Sequence, residues 1–499
     1  MSTERKSIEF IDTSLRDGHQ SLLATRMSTE QALRVLPMLR DAGYRILELW
    51  GGATLDSALR FTGDDPFERL ERFREVLGPE VQLRSLSRGQ NLFGYSPYPD
   101  NVVEAFMRTA VGFGNDRIRI FDALNDARNL ETAVRVTRET GAHAECALSY
   151  TTSPVHDLDH FLRFARDAAA LGADSLAIKD MAGLLHPSVA WELIEGLKAE
   201  LPDLPITLHT QTTNGLANAT AVVGMMAGVD YIDTGHGPLA GGTALPPVEL
   251  MQYFADALGL ESNVDRHAWA PIHEALARIR SELRDSDANP DLHIRPWPET
   301  PSDEVRAQVE RAIELLRTRG KAEADEAIAI IEQGIMVPQG YPPVDAKQLE
   351  AQIPGGMLSN LHKQLKEQGA LSRLPKIIEA VPEVRKDAGW VPLVTPTSQI
   401  VGSQAAFNVI TGKRYGHVSR PFTDLILGKY GRTPGPVNPE VLELCARGRE
   451  PFTDRPAAYA EPVDLDAVQK EHAAIIRRPA DLMLLVLFPG PAKAFLESR

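Results

Sequence analysis

The stretch DSLAIKDMAGLL, residues 174–185, carries an apolar run into a lysine and an aspartate. Short apolar runs bounded by polar and glycine residues are typical of β-strands in a buried sheet. Lys179 and Asp180 then stand where the strand ends and a loop begins. A solvated ion pair between them is the simplest interpretation, and such pairs contribute little to stability. The rest of the chain decides whether Lys179 belongs to a site instead.

Seven further runs of this kind alternate with amphipathic helical stretches at a roughly constant spacing. This alternation is the pattern of repeated βα units. Together with DSLAIKD, the predicted strands are SIEFID (7–12), RILELW (45–50), VQLRSL (81–86), RIRIFD (117–122), HAECALSY (143–150), PITLHT (205–210) and VDYIDT (229–234). Strands and helices in this order predict a (β/α)8 TIM barrel, an α/β fold.

Polar residues collect at the carboxyl ends of the predicted strands. At or near those ends stand Asp12, Arg88, Asp122, Lys179, His209 and Asp233. TIM-barrel enzymes hold their catalytic residues at this face of the barrel. The position of Lys179 therefore favours a catalytic role.

The pattern changes after residue 285. The segment RDSDANPDLHIRPWPETPSDE (284–304) is polar and contains prolines, and the sequence beyond it is mostly helical. We expect a catalytic barrel at 1–285, a connector at 286–300 and a mostly α-helical domain at 301–499. Within the last of these, LVTPTSQIVGSQAAFNVITG (393–412) predicts a turn and a helix that reach over the barrel mouth.

Composition excludes several classes of protein. The 499 residues are 43% hydrophobic, which suffices for two or three packed domains, and the net charge of −15 argues against a nucleic-acid surface. Cys146 and Cys445 are too few for a disulfide framework or a thiolate zinc cluster. The charged N-terminus lacks a signal core, and the longest apolar run, 482–488, is too short to span a bilayer. We expect a soluble, cytoplasmic protein.

His209 and Gln211 suggest a metal site. They are two residues apart on a predicted strand, so both side chains leave the same face. An oxygen of Asp17, at the end of the first strand, would join them across the barrel mouth. Any one of these residues alone is more often a hydrogen-bonded structural residue. Lys179 has no lone pair as an ammonium, but an N-carboxylated lysine is anionic and offers two oxygens.

Several long motifs carry a family resemblance. In chain order they are FIDTSLRDGHQSLLATRM (10–27), SRGQNLFGYSPYPDNVV (87–103), RIRIFDALND (117–126), SYTTSPVHDL (149–158), ADSLAIKDMAGLL (173–185), IPGGMLSNLHKQLKEQGAL (353–371) and VRKDAGWVPLVTPTSQIVG (384–402). The set resembles the carboxyltransferase module shared by pyruvate carboxylase, the pyruvate-specific subunit of transcarboxylase and the oxaloacetate decarboxylase α chain. The likeness runs nearly to the end of the chain. It implies that the helical region is a carboxylase-type domain.

The resemblance implies a divalent metal ion. Its ligands would be Asp17, Lys179 as its carbamate, His209 and Gln211. The family has a second histidine where this chain has Gln211, and an amide oxygen is a harder donor than imidazole. We expect zinc first, and Gln211 makes manganese or magnesium further candidates.

The resemblance also assigns the substrate and the proton transfer. Arg88 would bind the carboxylate of a 2-oxo acid, since a guanidinium forms a bidentate fork with a carboxylate. Gln20 with Arg16 would hold the oxo group. Thr395 would pass a proton between carboxybiotin and the substrate enol, because a hydroxyl both accepts and donates one. The structural alternatives are a surface arginine, a capping amide and a Ser/Thr turn.

Besides Gln211, two features depart from the family pattern. Gly18 stands where the family usually has alanine, and DTSLRDG also matches the wider metal-dependent aldolase, lyase and Claisen-synthase barrels. The loop after the eighth strand, DTGHGPLAGGTALPP (233–247), lacks the serine-rich form of the family. Substrate recognition is therefore open to change.

The implied function is biotin-dependent carboxyl transfer to or from a 2-oxo acid such as pyruvate or oxaloacetate, through a metal-stabilised enolate. The sequence contains no ATP-binding carboxylase module and no biotinyl MKM segment. If biotin is used, we expect it on a separate biotin carboxyl carrier protein acting in trans. A biotin carboxylase subunit is a further candidate partner, and we expect a homo-oligomer.

Two other functions stay open from the sequence. One is a biotin-independent, metal-dependent 2-oxo acid decarboxylase or carbon–carbon lyase that uses the same enolate chemistry. The other is a catalytically silent scaffold subunit, which the change at Gln211 permits. Turnover of oxaloacetate to pyruvate, with and without a biotin carrier, separates the three.

Overall fold

The computed structural model describes residues 7–344, 365 and 369–499. Most of the motif at 353–371 therefore lies outside the described residues. Within them, eight parallel strands follow one another around a ring, and the second strand pairs back to the first to close it. The predicted (β/α)8 TIM barrel is confirmed.

The barrel strands begin and end within two residues of their predicted bounds. They are β1 (Ser7–Asp12), β2 (Ile46–Gly51), β3 (Gln82–Ser87), β4 (Arg117–Phe121), β5 (His143–Ser149), β6 (Ser175–Asp180), β7 (Ile206–Thr210) and β8 (Tyr231–Thr234). A further short strand, β9 (Glu261–Ser262), pairs in parallel with the start of β1. Two residues carry no periodicity, so the sequence did not predict it.

Within the described residues, helices connect the strands and make up most of the chain beyond the barrel. The α-helices are His19–Leu22, Thr29–Asp41, Thr54–Ser57, Pro66–Leu77, Asp100–Gly112, Glu131–Glu139, Leu158–Ala170, Pro187–Glu200, Ala217–Ala227, Val248–Ala257, Trp269–Glu282, Asp303–Arg317, Lys321–Ala329, Val337–Gln339, Leu374–Asp387, Thr397–Thr411, Arg420–Ile426, Pro439–Ala446, Leu465–Glu471, Pro479–Leu487 and Pro489–Glu497. Segments Ser14–Gly18, Ala58–Thr62 and Ile330–Met336 form π-helical turns. Among the helices of the described residues, none combines the length and the mean hydropathy of a membrane-spanning helix.

Capping side chains set where the first barrel helices begin. Ser28 accepts a hydrogen bond from Gln31 N, and the Gln31 side chain accepts one from Ser28 N, so Thr29–Asp41 starts with a capping box. Asp65 caps Pro66–Leu77, whose proline stands in the first turn. These side chains satisfy amide groups that a helix start leaves unpaired.

The main apolar core lies between the strands and the helices around them. Trp50 in β2 meets the edges of Phe67 and Phe93, with ring centroids 5.2 and 5.1 Å away. It also stacks on Phe106 at 6.2 Å. Aromatic contacts of this kind add to the stabilisation that burial itself provides.

Most buried apolar residues in the described helical part belong to one of two clusters. Buried residues of Asp303–Arg317 and Pro479–Leu487 join the apolar core of the barrel. Residues of Leu374–Asp387 and Thr397–Thr411 form a separate cluster. The predicted domain boundaries at residues 285 and 300 stay a prediction.

The segment that links these two helices is fastened to the carboxyl end of the barrel. Val394 is buried there in one apolar cluster with Leu86 and Phe121, near the ends of β3 and β4. Arg385 donates a hydrogen bond to Thr151 Oγ1, just beyond β5, at 2.9 Å. The turn that contains Val394 therefore lies at the barrel mouth.

The loop after β8 presses against the turn after β1. A Cβ atom on Gly18 would lie 2.7 Å from the carbonyl oxygen of Leu239 and 3.2 Å from its Cβ, closer than normal contact allows. In the same loop, Thr243 Oγ1 donates to the carbonyl of Ser21 at 3.0 Å. Residue 18 must therefore be glycine for the loop after β8 to pack this closely. The two departures from the family pattern, Gly18 and the form of this loop, are thus linked by one contact.

We expect Gly18→Ala to lower the midpoint of thermal unfolding, because the new methyl group must displace the backbone of Leu239. Overpacking of this kind costs about 1–3 kcal/mol. Gly112→Ala is the matched control, since nothing lies within 4 Å of its Cβ position and alanine favours the helix. Equal unfolding midpoints for the two variants would contradict the contact.

Candidate functional site

A cavity of about 460 Å³ opens at the carboxyl ends of the barrel strands. Both halves of the chain line it. Gln20, Arg88 and Gln211 come from the barrel, and Thr395 and Ser398 come from the segment that packs on the barrel end. Residues that are far apart in the sequence therefore face one space.

The four predicted metal ligands lie together beside this cavity. Lys179 Nζ is 3.2 Å from His209 Nε2, and Asp17 Oδ2 is 3.9 Å from the same nitrogen. The Gln211 amide donates to Asp17 Oδ1 at 3.0 Å. Gln211 lines the cavity, whereas Asp17, Lys179 and His209 are almost entirely buried. Their role as ligands stays a prediction.

Strand register and one irregular turn account for this convergence. Lys179 in β6 and His209 in β7 are direct register partners. Gln211 continues the extended backbone beyond β7, so its side chain leaves the same face as that of His209. Asp17 lies in the π-helical turn Ser14–Gly18, and such turns are frequent at functional sites.

Asp180 is not the partner of Lys179. It is fully buried and accepts hydrogen bonds from Leu184 N at 2.8 Å, Leu185 N at 2.9 Å and Thr210 Oγ1 at 2.8 Å. Burial raises the pKa of this carboxyl group to about 6. The solvated pair considered from the sequence is therefore wrong, because Asp180 fixes the loop after β6 while Lys179 contacts His209.

A second carboxylate orients His209. Asp233 Oδ2 is 2.8 Å from His209 Nδ1, so Nδ1 carries the proton and Nε2 keeps its lone pair toward the other predicted ligands. Arg84 Nη2 donates to Asp233 Oδ1 at 2.7 Å, and Arg119 Nη1 donates to Asp233 Oδ2. Carboxylate–histidine pairs of this kind fix the tautomer of metal-binding imidazoles.

Asp233 belongs to a buried charge cluster inside the barrel. Its members are Arg16, Asp17, Glu48, Arg84, Arg119, Glu145 and Asp233. Arg84 Nε, for example, donates to Glu48 Oε2 at 2.9 Å, and Arg119 Nε to Glu145 Oε2 at 2.5 Å. Branched apolar side chains usually fill a TIM-barrel interior. This barrel is held from inside by ion pairs.

Sequence reasoning missed Glu48, Arg84, Arg119 and Glu145 as residues of the site. A signal was present, because each predicted strand from β2 to β5 carries a charge within an apolar run. A charge in a buried strand needs an opposite charge or hydrogen bonds. The sequence does not say which strand supplies the partner.

Burial and neighbouring charges set the protonation of the site. Burial, and then the charge of Arg16, lower the pKa of Lys179 to about 7. Burial, and then Lys179, lower the pKa of His209 to about 4. Burial alone would raise the pKa of Asp17, but Arg16, His209 and Lys179 lower it overall. At neutral pH, Asp17 is a carboxylate, His209 is neutral and much of Lys179 is an uncharged amine.

The donor set fits a divalent metal ion if Lys179 is carboxylated. Among residues 7–344, 365 and 369–499, no group of three or more His, Cys, Asp or Glu side chains is arranged to hold a metal ion. The site offers one carboxylate from Asp17, one oriented imidazole from His209 and an amide from Gln211. A carboxyl group on the Lys179 nitrogen would supply the further anionic oxygens that such an ion needs.

Arg88 faces the cavity without a counter-ion among the described residues. Its guanidinium lies 5.6 Å from the centre of the Tyr95 ring and donates to the Gly94 carbonyl at 3.2 Å. No carboxylate of the described residues lies within ion-pair distance of it. Burial lowers the pKa of Arg88, so the pocket would favour an anion beside it.

Gln20 and Arg16 are placed differently from each other. Gln20 lines the cavity, and its side-chain oxygen accepts from Ala53 N at 3.0 Å. Arg16 is almost fully buried, and its guanidinium is bound to Asp17 Oδ2 at 2.8 Å and to Glu48 Oε1 at 2.6 Å. The structure thus places Gln20 at the cavity wall and Arg16 in the buried charge cluster.

Thr395 faces the cavity from the second half of the chain. Gln399 Nε2 donates to Thr395 Oγ1 at 3.3 Å. The Thr397 hydroxyl is instead bound to the carbonyls of Pro392 and Val394, at 2.5 and 2.7 Å. Of these two hydroxyls, Thr395 is the one that can exchange a proton with a bound molecule.

Known proteins resemble the chain along nearly its full length. A family model described as "Conserved carboxylase domain" matches residues 349–499, and one described as "HMGL-like" matches residues 103–275. A pyruvate carboxylase subunit of Methanocaldococcus jannaschii is 37% identical over 495 residues, which cover 99% of this chain and 78% of that protein. The "2-oxoglutarate carboxylase large subunit" of Hydrogenobacter thermophilus is 36% identical over 501 residues, which cover 99% and 69%.

A solved structure gives the same likeness in three dimensions. The carboxyl transferase domain from Rhizobium etli pyruvate carboxylase, with pyruvate and biocytin, superposes with a TM-score of 0.81 at 28% identity. The match covers 99% of this chain and 78% of that chain. The barrel and the helical part beyond it are therefore both shared.

We expect Asp233→Asn to lower the free energy of unfolding by about 3–5 kcal/mol, because it leaves buried arginines with one carboxylate fewer. Urea denaturation measures the loss. Asp159→Asn, at an exposed pair with Arg163, is the control and should leave stability nearly unchanged. A similar small effect for both variants would contradict the role of the buried charge cluster.

Proposed function

Because the chain belongs to the carboxyltransferase family of the pyruvate carboxylase type, a family of enzymes, we propose that it moves a carboxyl group between biotin and a 2-oxo acid. Two relatives are named for pyruvate and for 2-oxoglutarate, which are both 2-oxo acids. The biotin would be carried by a separate carrier protein. A biotin carboxylase subunit and a second copy of this chain are further proposed partners.

One observation carries the proposal: the groups that this reaction needs share one cavity. Arg88 offers a cation, Gln20 an amide and Thr395 a hydroxyl, and all three line that cavity. A 2-oxo acid presents a carboxylate and an oxo oxygen, and biotin presents a nitrogen that exchanges a carboxyl group for a proton. Each of these groups would meet a matching side chain.

Arg88 and Gln20 would hold the substrate. A guanidinium binds a carboxylate through two parallel hydrogen bonds, which are strong in a buried pocket. The Gln20 oxygen is occupied by Ala53 N, so its NH₂ group is left to donate to the oxo oxygen. Arg16 would act through Asp17, because its guanidinium is bound there.

Asp17, carboxylated Lys179, His209 and Gln211 would hold the divalent ion. When bound, the ion would act as a Lewis acid that stabilises the enolate of the 2-oxo acid. Carboxylation requires an uncharged amine: the Lys179 nitrogen attacks CO₂, a nitrogen–carbon bond forms and a proton leaves. A pKa of about 7 supports this, because the uncharged amine is then available at neutral pH. We propose zinc, with manganese or magnesium as alternatives that the Gln211 oxygen allows.

Thr395 would carry the proton. Its Oγ1 would accept a proton from the substrate carbon next to the oxo group and pass its own proton to the biotin nitrogen that loses the carboxyl group. The hydroxyl would end the step unchanged. Gln399, which donates to Oγ1, would keep the hydroxyl directed at the cavity.

We expect the purified protein to carry about one divalent ion per chain, measured by elemental analysis after gentle purification. Lys179→Ala should lose the ion, because the site then keeps a single anionic ligand. Lys198→Ala removes a lysine that pairs with Asp230 away from the site, and it should keep the ion. A wild-type chain without stoichiometric metal would contradict the Lewis-acid role.

Gln211→His should also bind zinc more tightly in chelator competition, since imidazole suits zinc better than an amide.

We expect Thr395→Ala to slow carrier-dependent carboxyl transfer by about two to four orders of magnitude, the usual range for a lost general acid or base. Metal content and melting temperature should be unchanged. Thr411→Ala, at the exposed far end of the helix that follows Thr395, is the control and should keep full turnover. If the protein turns over a 2-oxo acid without a carrier, and Thr395→Ala does not slow that turnover, a biotin-independent enzyme is favoured.

A further inference from the structure

A second arginine lines the same cavity as Arg88. The guanidinium of Arg26 lies 3.5 Å above the centre of the Phe61 ring. It donates to the Ala24 carbonyl at 2.6 Å and to Ser57 Oγ at 3.4 Å. In the part of the chain that the structure describes, no carboxylate lies within ion-pair distance of it. The pKa of Arg26 is lowered by burial, with no charged neighbour contributing.

The carboxylate in the cavity wall is not an ion-pair partner of Arg26. Asp56 lines the cavity, but its Oδ1 accepts from Arg60 Nε at 2.5 Å. Asp56 and Arg60 are four residues apart on one helical turn and neutralise each other locally. Among the residues that the structure describes, Arg26 therefore faces the cavity as a cation with no ion-pair partner.

The backbone before Arg26 is strained. Ala24 and Thr25 both have positive φ, 48° and 61°. The left-handed region is unfavourable for non-glycine residues, and especially for a β-branched threonine. Such residues persist only where the surroundings enforce them, and they cluster at binding sites. Two in succession indicate that the direction of this turn matters.

Three hydrogen bonds enforce the strained turn. Thr25 N donates to the His19 carbonyl at 3.0 Å, and Arg26 N donates to the Leu23 carbonyl at 2.9 Å. Ser57 Oγ donates to the Thr25 carbonyl at 2.5 Å. The turn ends the preceding helix and brings Arg26 to the cavity wall.

The cavity therefore contains two arginine–aromatic pairs. Arg88 lies over Tyr95, and Arg26 lies over Phe61. Phe61 is 54% exposed and Tyr95 47%, the two highest values among the large apolar side chains of the described residues. A ring beneath a guanidinium stabilises its charge and holds its plane, which leaves the N–H groups at its edge for a carboxylate.

We propose that Arg26 forms a subsite for a second carboxylate, so that the site takes 2-oxo dicarboxylic acids. The carboxylate next to the oxo group would bind Arg88, and the distal one would bind Arg26. This rests on the proposed function, because Arg88 must bind a 2-oxo acid first. Carboxylation of a 2-oxo monoacid forms a carbon–carbon bond to the new carboxyl group and yields such a diacid, so the subsite would hold the diacid as substrate or as product.

The test is isothermal titration of the purified protein with pairs of acids of equal chain length. One pair is 2-oxoglutarate and 2-oxopentanoate, and the other is oxaloacetate and 2-oxobutanoate. The members of each pair differ by one distal carboxylate. We expect wild type to bind each diacid about tenfold or more tightly than its monoacid, and this advantage to shrink as salt is added. Equal affinity within both pairs would overturn the subsite.

The variant Arg26→Gln should weaken diacid binding by about ten- to a hundredfold and leave monoacid binding unchanged. Arg26→Lys keeps the charge but not the planar fork, and should recover part of the diacid affinity. Arg72→Gln removes an arginine that pairs with Glu30 outside the cavity and should change neither affinity. Melting temperatures of all three variants show whether the fold is kept.

Four outcomes decide the question. Selective loss of diacid affinity in Arg26→Gln supports the subsite. Equal loss for diacids and monoacids overturns it, because Arg26 then acts on the shape of the whole cavity. No change in either affinity, with slower carrier-dependent transfer, also overturns it and assigns Arg26 to the carboxyl group on biotin. If wild type binds no 2-oxo acid, or Arg88→Gln weakens none of them, the proposed function fails instead.

Discussion

The Asp233 carboxylate is the interaction on which the rest of the site depends. Its Oδ1 accepts from Arg84, its Oδ2 accepts from Arg119 and orients His209, and all four side chains are fully buried. Moving such charges from water into a protein is costly, and the cost is offset only when each charge meets an opposite charge in good geometry. A shift of one residue in any contributing strand would turn its charge out of the barrel. The strand register that makes the barrel stable is therefore the same register that aims the imidazole of His209.

The cavity is completed only where the helical part docks on the barrel. Thr395 follows directly after Val394, whose side chain is buried in one apolar cluster with Leu86 and Phe121 at the barrel end. Arg385 adds a hydrogen bond to a loop of the barrel. An apolar anchor beside a cavity-facing hydroxyl fixes the hydroxyl without using its hydrogen-bonding capacity. Any loosening of this contact would move Thr395 before it disturbed the barrel.

The sequence predicted what depends on local periodicity and on long motifs. The strand ends, the barrel and the family resemblance, with its assignment as an enzyme, are confirmed. The period of two also placed His209 and Gln211 on one face. Contacts between distant strands could not be predicted in this way: Arg119 and Asp233 are 114 residues apart, and nothing local links them. The positive φ values of Ala24 and Thr25 escaped for a related reason, since neither residue type signals a left-handed turn.

The charge balance of the buried cluster explains how one set of side chains can exist with and without an ion. Three arginines stand against four carboxylates, which leaves one negative charge. A protonated Lys179 would cancel it, although burial opposes that charge and lowers its pKa to about 7. A carbamate on Lys179 together with a divalent ion would add one negative and two positive charges and reach the same total, with no ammonium left beside His209 Nε2. Position 211 keeps this charge balance in both states only if its side chain is neutral, as those of glutamine and histidine are. A carboxylate there would add a charge that neither state can cancel.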